Sequence, residues 1–280
     1  MSKVSSVRYI ATLALSFCLS ISLLLLISMS ILLLTVFNSH YMLSRLNHSE
    51  FALHVAGELE EVYISHGHAS GISPETMLSL ISTEKIAIAL EYSVRAAYGN
   101  VSPYNFSSHT ERMFNILHEY ALSLGFDDTP LLVQGLYDLA TLCTAELQSR
   151  MESILINLMS EVMHFHVHAI IATAVLAFFS ALSIFFIHLA NSSVTRTIDG
   201  LLYSFGTVSI ICAAVPIFFH ITALTSRIQI MPLSLNRFIT SWLDGIIHSY
   251  LFALLILLLC MFACILIRIS RRNKRIKSIN

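Results

Sequence analysis

Hydrophobic positions along this chain follow two patterns. Four stretches, residues 10–37, 169–190, 201–225 and 246–267, are apolar throughout and contain no Asp, Glu, Lys or Arg. A bilayer core of about 30 Å needs roughly 20 apolar helical residues to cross it, so each stretch predicts a transmembrane helix. Elsewhere apolar residues recur at helical spacing. In 49–65, Ala52, Val55, Ala56, Leu59, Val62 and Tyr63 share one face, opposite Glu50, His54, Glu58 and Glu61, which predicts an amphipathic helix.

Start and stop signals place three more helices. Ser73-Pro74-Glu75 sets a cap, a proline at the first helical position and an acid in the first turn, with Gly99 as a natural stop. Ser108-His109-Thr110-Glu111 has the form of a capping box, and a stripe of Phe114, Leu117, Ala121 and Leu124 leads to Gly125. Thr129-Pro130 opens the last, whose stripe runs Leu136, Ala140, Cys143, Leu147, Met151, Ile154, Leu158, Val162. No breaker separates it from the second span. Continuous to Ala190, it would measure about 90 Å at about 1.5 Å per residue. Four such stripes bury against one another as an antiparallel bundle, and no strand pattern competes. The predicted fold class is therefore an all-α integral membrane protein, with four transmembrane helices and an extracytoplasmic helical bundle inserted between spans 1 and 2.

Charge supplies the orientation. The segment 38–168 holds fifteen of the chain's seventeen carboxylates and five of its sixteen Lys and Arg, a net charge of −10. Arg268, Arg271, Arg272, Lys274, Arg275 and Lys277 follow the fourth span without an acid, and Lys3 and Arg8 precede the first. Basic flanks mark the cytoplasmic side. The expected layout is a cytoplasmic N-terminus at 1–9, a loop at 191–200 and a basic tail at 268–280 on that side. The domain 38–168 and the loop 226–245 lie on the other. The protein is expected in the cell membrane, multi-pass, with both termini cytoplasmic. Although Lys3 and Arg8 resemble the start of a secretory signal, the apolar run exceeds the roughly 7–15 residues of a signal core, so the first segment is read as a retained span. In 226–245, Leu235, Phe238, Ile239, Trp242, Leu243 and Ile246 recur at helical spacing, predicting an interfacial helix leading into the fourth span. Pro216 is expected to kink the third.

Candidate chemistry centres on thirteen histidines. His40, His164, His166, His168, His220 and His248 all fall near the predicted outer interface. Glu161, His164 and His168, at i, i+3 and i+7, share one face of a continuous helix, a spacing compatible with zinc or another divalent metal. Imidazole is equally at home there as an apolar ring with a polar tip, and the expectation is that no cofactor is required. Cys18, Cys212, Cys260 and Cys264 lie in spans and Cys143 stands alone outside, so the external domain must fold without an internal disulfide.

Enzyme patterns are incomplete. His118-Glu119-Tyr120-Ala121-Leu122 starts like a zinc-protease helix but places Leu122 where the second histidine belongs. Ser82-Thr83-Glu84-Lys85 matches Ser-x-x-Lys without its partner motifs. The spans carry no ionisable Asp, Glu, Lys or Arg, whereas ion-coupled transporters usually need one. Asn47-His48-Ser49 and Asn105-Phe106-Ser107 have the form of glycosylation sites.

The run Ser70-Gly71-Ile72-Ser73-Pro74-Glu75, the later Tyr98-Gly99, and one long external helical loop followed by three clustered spans resemble uncharacterised multispan membrane proteins of Gram-positive bacteria. That resemblance implies no activity and no site residues. Three function classes follow from the residues themselves. The first is a noncatalytic membrane protein recognising a ligand or partner through its external domain, as a sensor, regulator or assembly subunit. The second is a transporter or channel component, and the third a metal-dependent enzyme using the interfacial histidines. Expected partners are the lipid bilayer and a membrane protein or a second copy of the chain, with no nucleic acid.

Overall fold

Every helix and strand position among the described residues is helical. The computed structural model describes residues 3–277 apart from 100, 152, 153, 192 and 228. In chain order the helices are α1 (Lys3–Thr35), α2 (Ser39–His48), α3 (Phe51–Ser70), α4 (Pro74–Ser79), α5 (Thr83–Ala97), α6 (Ser107–Ser123), α7 (Pro130–Met151), α8 (Ile154–Met163), α9 (His166–Ala190), α10 (Val194–Thr222), α11 (Leu224–Arg227) and α12 (Leu233–Lys277). Four of them are long and apolar enough to cross a membrane, over Arg8–Thr35, His166–Ala190, Val194–Thr222 and Leu233–Arg271. The chain divides into two units. One comprises Met1–Thr35, His166–Ile228 and Trp242–Asn280, and the other Val36–Phe165 and Gln229–Ser241.

In the first unit small polar side chains share the interior with apolar ones such as Leu19, Ile187 and Val208, and many large apolar ones face outward. Small polar side chains, Ser16, Ser20, Ser22, Ser180, Ser204 and Ser209, are buried, while Phe178, Phe185, Ile210, Ile221, Phe252 and Leu259 are exposed. Where serines and Gly200 line the seam, backbones approach closely and hydroxyls bond across it. Ser180 donates to Ser22 Oγ at 3.0 Å, and Ser204 donates to the Ser16 carbonyl at 2.8 Å. Val208, Cys212 and Leu257 form a buried cluster with Leu23, Leu24 and Ile27. The pairs Thr12 with Asn191, Ser28 with Tyr250 and Asp199 with Arg268 make α9 and α12 antiparallel to α1 and α10. α10 continues through Pro216 to Thr222.

The second unit has an ordinary apolar core. α3 contributes Val55, Ala56, Leu59 and Tyr63, and α7 contributes Leu136, Ala140, Cys143, Leu147 and Met151, all buried as their spacing predicts. The Tyr63 hydroxyl joins the two helices by donating to the Cys143 carbonyl at 2.7 Å. Burial, then the neighbouring Cys143, pushes that phenol far above its ordinary pKa. Cys143 itself is pushed up to about 12 by burial and then Glu146, which leaves an inert thiol. Thr110 Oγ1 donates to Thr144 Oγ1 at 3.1 Å between α6 and α7.

Several boundaries differ from the sequence expectation. Residues 38–48 form a separate helix, because Asn38 Oδ1 accepts from the amides of His40 and Tyr41 at 3.0 and 3.2 Å, an N-cap. α3 starts at Phe51 and reaches Ser70, closed by Gly71 at φ 71°. The helix expected over 74–99 is two, since Ser82 Oγ accepts from the Lys85 amide at 3.4 Å and starts α5 afresh. Ser73 caps α4 by accepting from Thr76 N. α6 starts at Ser107 without a side-chain cap bond, so the capping box at 108–111 does not form; instead Asn105 Oδ1 accepts from Ser107 N at 3.0 Å. Its buried stripe is Met113, Leu117 and Ala121, while Leu124 is exposed. The single helix from 130 to 190 does not form either. α8 ends at Met163, and His164 and Phe165 make a turn before α9. The helix expected over 235–246 is the start of α12, whose first residues pack in the second unit. There Phe238 meets Phe51 edge-on with ring centroids 6.3 Å apart, and Ser234 N donates to Glu58 Oε1 at 2.9 Å.

Candidate functional site

Restarting the chain at Ser82 puts Lys85 in the first turn of α5, beside the first turns of α6. Ser82, Lys85, His109 and Arg112 thereby come to line one shallow cleft of the second unit. Leu59 and Tyr63 from α3, Leu80 from the end of α4, Met113 from α6 and Leu147 from α7 form its floor. Those five are at most 2% exposed. The floor is dry and apolar and the rim cationic. Among the described residues no carboxylate lines the cleft.

His109 is the buried member of this set, 4% exposed. Its Nε2 lies 2.9 Å from the Tyr104 hydroxyl, and the Tyr104 and Phe106 rings stand 5.6 and 6.2 Å from the imidazole. Burial, then the Arg112 and Lys85 cations, holds its pKa below the ordinary value. Neutral at neutral pH, the ring is a hydrogen-bonding group rather than a third cation. The sign of the pH effect follows from linkage. A histidine whose folded pKa is depressed stabilises the fold fully above its unfolded pKa of about 6.5, and that contribution declines as pH falls below it. As pH falls from 7.5 to 5.5 the unit should therefore lose stability through this group. Urea unfolding of the full chain, followed by proteolysis within 36–165, should show this slope. A His109→Gln variant should show it reduced; an equal slope in both would remove His109 as its source.

The sequence-predicted metal set is not assembled as one helical face. Glu161 is exposed on α8, His164 is exposed in the turn after it, and His168 is exposed on α9. The spacing i, i+3, i+7 requires one uninterrupted helix, and the turn at 164–165 interrupts it. Among the described residues no group of three or more His, Cys, Asp or Glu has metal-holding geometry. His40, expected at the end of the first span, lies on α2, and His248 Nδ1 is 2.8 Å from the Asp244 carbonyl oxygen. His118, in the incomplete zinc-protease pattern, lies 3.1 Å from Asp128 and stacks on Phe114.

Set against known proteins, the chain matches no family model, no curated protein and no solved structure. The cleft residues must therefore be judged on their own geometry. Sequence reasoning passed them over, because Lys85 stood in a chance Ser-x-x-Lys and His109 in a capping box. One signal was available. Lys85 and Arg112 are two of only five basic residues in a segment of net charge −10. Of the other three, Arg95 pairs with Glu91 at 2.7 Å, Arg45 lies over the Tyr41 ring at 5.2 Å, and Arg150 forms no ion pair among the described residues. Among the described residues, neither Lys85 nor Arg112 forms an ion pair.

Proposed function

We propose that this chain is a multi-pass, noncatalytic protein of the cell membrane whose helical domain recognises a ligand or partner on the extracytoplasmic side. The observation that carries the reading is a contrast between units. Four long helices turn apolar side chains outward and serines inward, an arrangement suited to lipid rather than water as solvent. The other unit buries a conventional core and carries a cleft whose rim holds Lys85 and Arg112, neither of which forms an ion pair among the described residues. Orientation rests on the basic tail and the acidic domain. The Arg268–Asp199 ion pair at 3.1 Å supports a shared side for the tail and the 191–200 loop.

Two measurements test this. Ser123→Cys, at an exposed position on α6, should react with an impermeant maleimide in intact cells, and Ser270→Cys only after permeabilisation. The reverse pattern overturns the orientation. Photocrosslinking in intact cells from a residue beside the cleft should trap a reproducible partner or ligand. Substrate flux through the purified chain in liposomes, with no such adduct, would replace recognition by transport.

A further inference from the structure

We infer that the C-terminal end of α12 is a binding surface for anionic lipid headgroups, held by Arg271, Arg272 and Arg275 on one face of the helix. The inference rests on the membrane placement proposed above and is independent of what the helical domain recognises. Charge is the first argument. The first unit contains only two carboxylates, Asp199 and Asp244. Asp199 is paired with Arg268 at 3.1 Å. Asp244 lies 3.5 Å from His248 and precedes Arg271 along the same helix by about 40 Å at about 1.5 Å per residue. Arg271, Arg272, Lys274, Arg275 and Lys277 therefore have no further acid to pair with in their unit, and the fifteen carboxylates of 38–168 belong to the opposite side of the bilayer in the proposed topology. The anions within reach are those of the lipid.

Register is the second argument. α12 does not stop with its apolar run but continues as one helix to Lys277. Helical spacing then sets positions 268, 271, 272 and 275 on one face, with the isoleucine positions 265, 269 and 276 along its flank. Orientation of a span asks only for an excess of nearby bases, which an irregular tail would supply equally well. An unbroken helix that gathers arginine on one face and isoleucine beside it suits the depth where acyl chains meet phosphate. Leu266, Ile267, Ser270 and Arg271 line an open recess at this level, apolar toward the span and cationic toward the tail. A guanidinium matches a lipid phosphate as a planar fork, and a cluster of about four to eight bases directly after a span is a mark of anionic-lipid recognition.

Native mass spectrometry of the full chain in neutral detergent, titrated with dioleoyl phosphatidylglycerol or dioleoyl phosphatidylcholine, reads the preference directly. Phosphatidylglycerol should be retained at least about tenfold more tightly, and the preference should shrink as ammonium acetate rises from about 0.05 to about 0.5 M. Each base near an anionic surface is worth about fivefold in binding. Arg271→Gln combined with Arg272→Gln and Arg275→Gln should therefore weaken phosphatidylglycerol by about tenfold or more and leave phosphatidylcholine unchanged. Arg271→Lys with Arg272→Lys and Arg275→Lys should keep the preference, and Arg227→Gln, on α11, should retain lipid as the parent does. Equal retention of the two lipids, or a preference indifferent to the three Arg→Gln substitutions, overturns the proposal. So does displacement of phosphatidylglycerol by an equal concentration of glycerol 3-phosphate, which would assign the site to a free phosphate. Protein that floats with phosphatidylcholine vesicles but shows no preference would lose the headgroup surface and keep its membrane placement; protein that neither floats nor retains lipid would lose both.

Discussion

Tyr63→Ala should unfold the second unit at temperatures where the parent is native. Tyr63 is fully buried, and its hydroxyl donates to the Cys143 carbonyl at 2.7 Å, so one side chain joins α3 to α7 and floors the cleft. Truncating a large buried aromatic costs about 3–5 kcal/mol through lost transfer energy and the cavity left behind. Domains of this size are stable by only about 5–15 kcal/mol, so the loss is a large fraction of the whole. The midpoint should fall by about 10 °C or more. Tyr63→Phe removes only the hydrogen bond and should cost about 1 kcal/mol. Protease susceptibility within 36–165 during heating is the suitable readout, since far-ultraviolet dichroism is dominated by the apolar helices. An unshifted midpoint for Tyr63→Ala would mean that α3 and α7 do not share this core.

Which parts of this fold were legible in the chain follows from where the determinants lie. Local ones were read correctly: the Ser73-Pro74 and Thr129-Pro130 starts, the Gly99 and Gly125 stops at φ 72° and 82°, and the apolar runs of the four long helices. The buried faces of α3 and α7 also emerged from periodicity alone. Breaks without a glycine or proline did not. Ser82 interrupts an apolar pattern through a single side-chain cap, Glu50 ends α2 and admits α3 by adopting φ 52°, and 164–165 turn with neither residue type. The α6 stripe holds at Leu117 and Ala121 and differs only at its ends, where Met113 takes the core position while Phe114, against Tyr137 and His118, is half-buried and Leu124 is exposed. The turn that ends the long helix also takes Glu161, His164 and His168 off a single helical face, which spacing could not reveal. The cleft gathers side chains from α3, α5, α6 and α7, a convergence that no local pattern in the chain announces.

Gly200→Leu is expected to separate the helices of the first unit. A Cβ at Gly200 would lie 3.0 Å from Ser16 Oγ, 3.2 Å from Ile187 Cγ2 and 3.4 Å from Thr12 Cγ2, so α10 touches both α1 and α9 at a point with no room for a side chain. Ser16 is buried and its hydroxyl has no hydrogen-bond partner among the described residues, so it can rotate away from a single methyl group. Gly200→Ala should therefore cost under about 1 kcal/mol, helped by alanine's better helix propensity. Leucine adds three more carbons against the fixed branch of Ile187, which is fully buried. Overpacking of that kind typically costs about 1–3 kcal/mol, and the detergent-solubilised protein should unfold about 5 °C or more below the parent. The cause can be separated from any general effect of a bulky residue. If the clash with Ile187 is responsible, adding Ile187→Ala to Gly200→Leu should recover part of the loss, and the pair should be clearly non-additive in a double-mutant cycle. Strict additivity would place the two residues apart and undo the three-helix seam described by Ser16, Gly200 and Ser204.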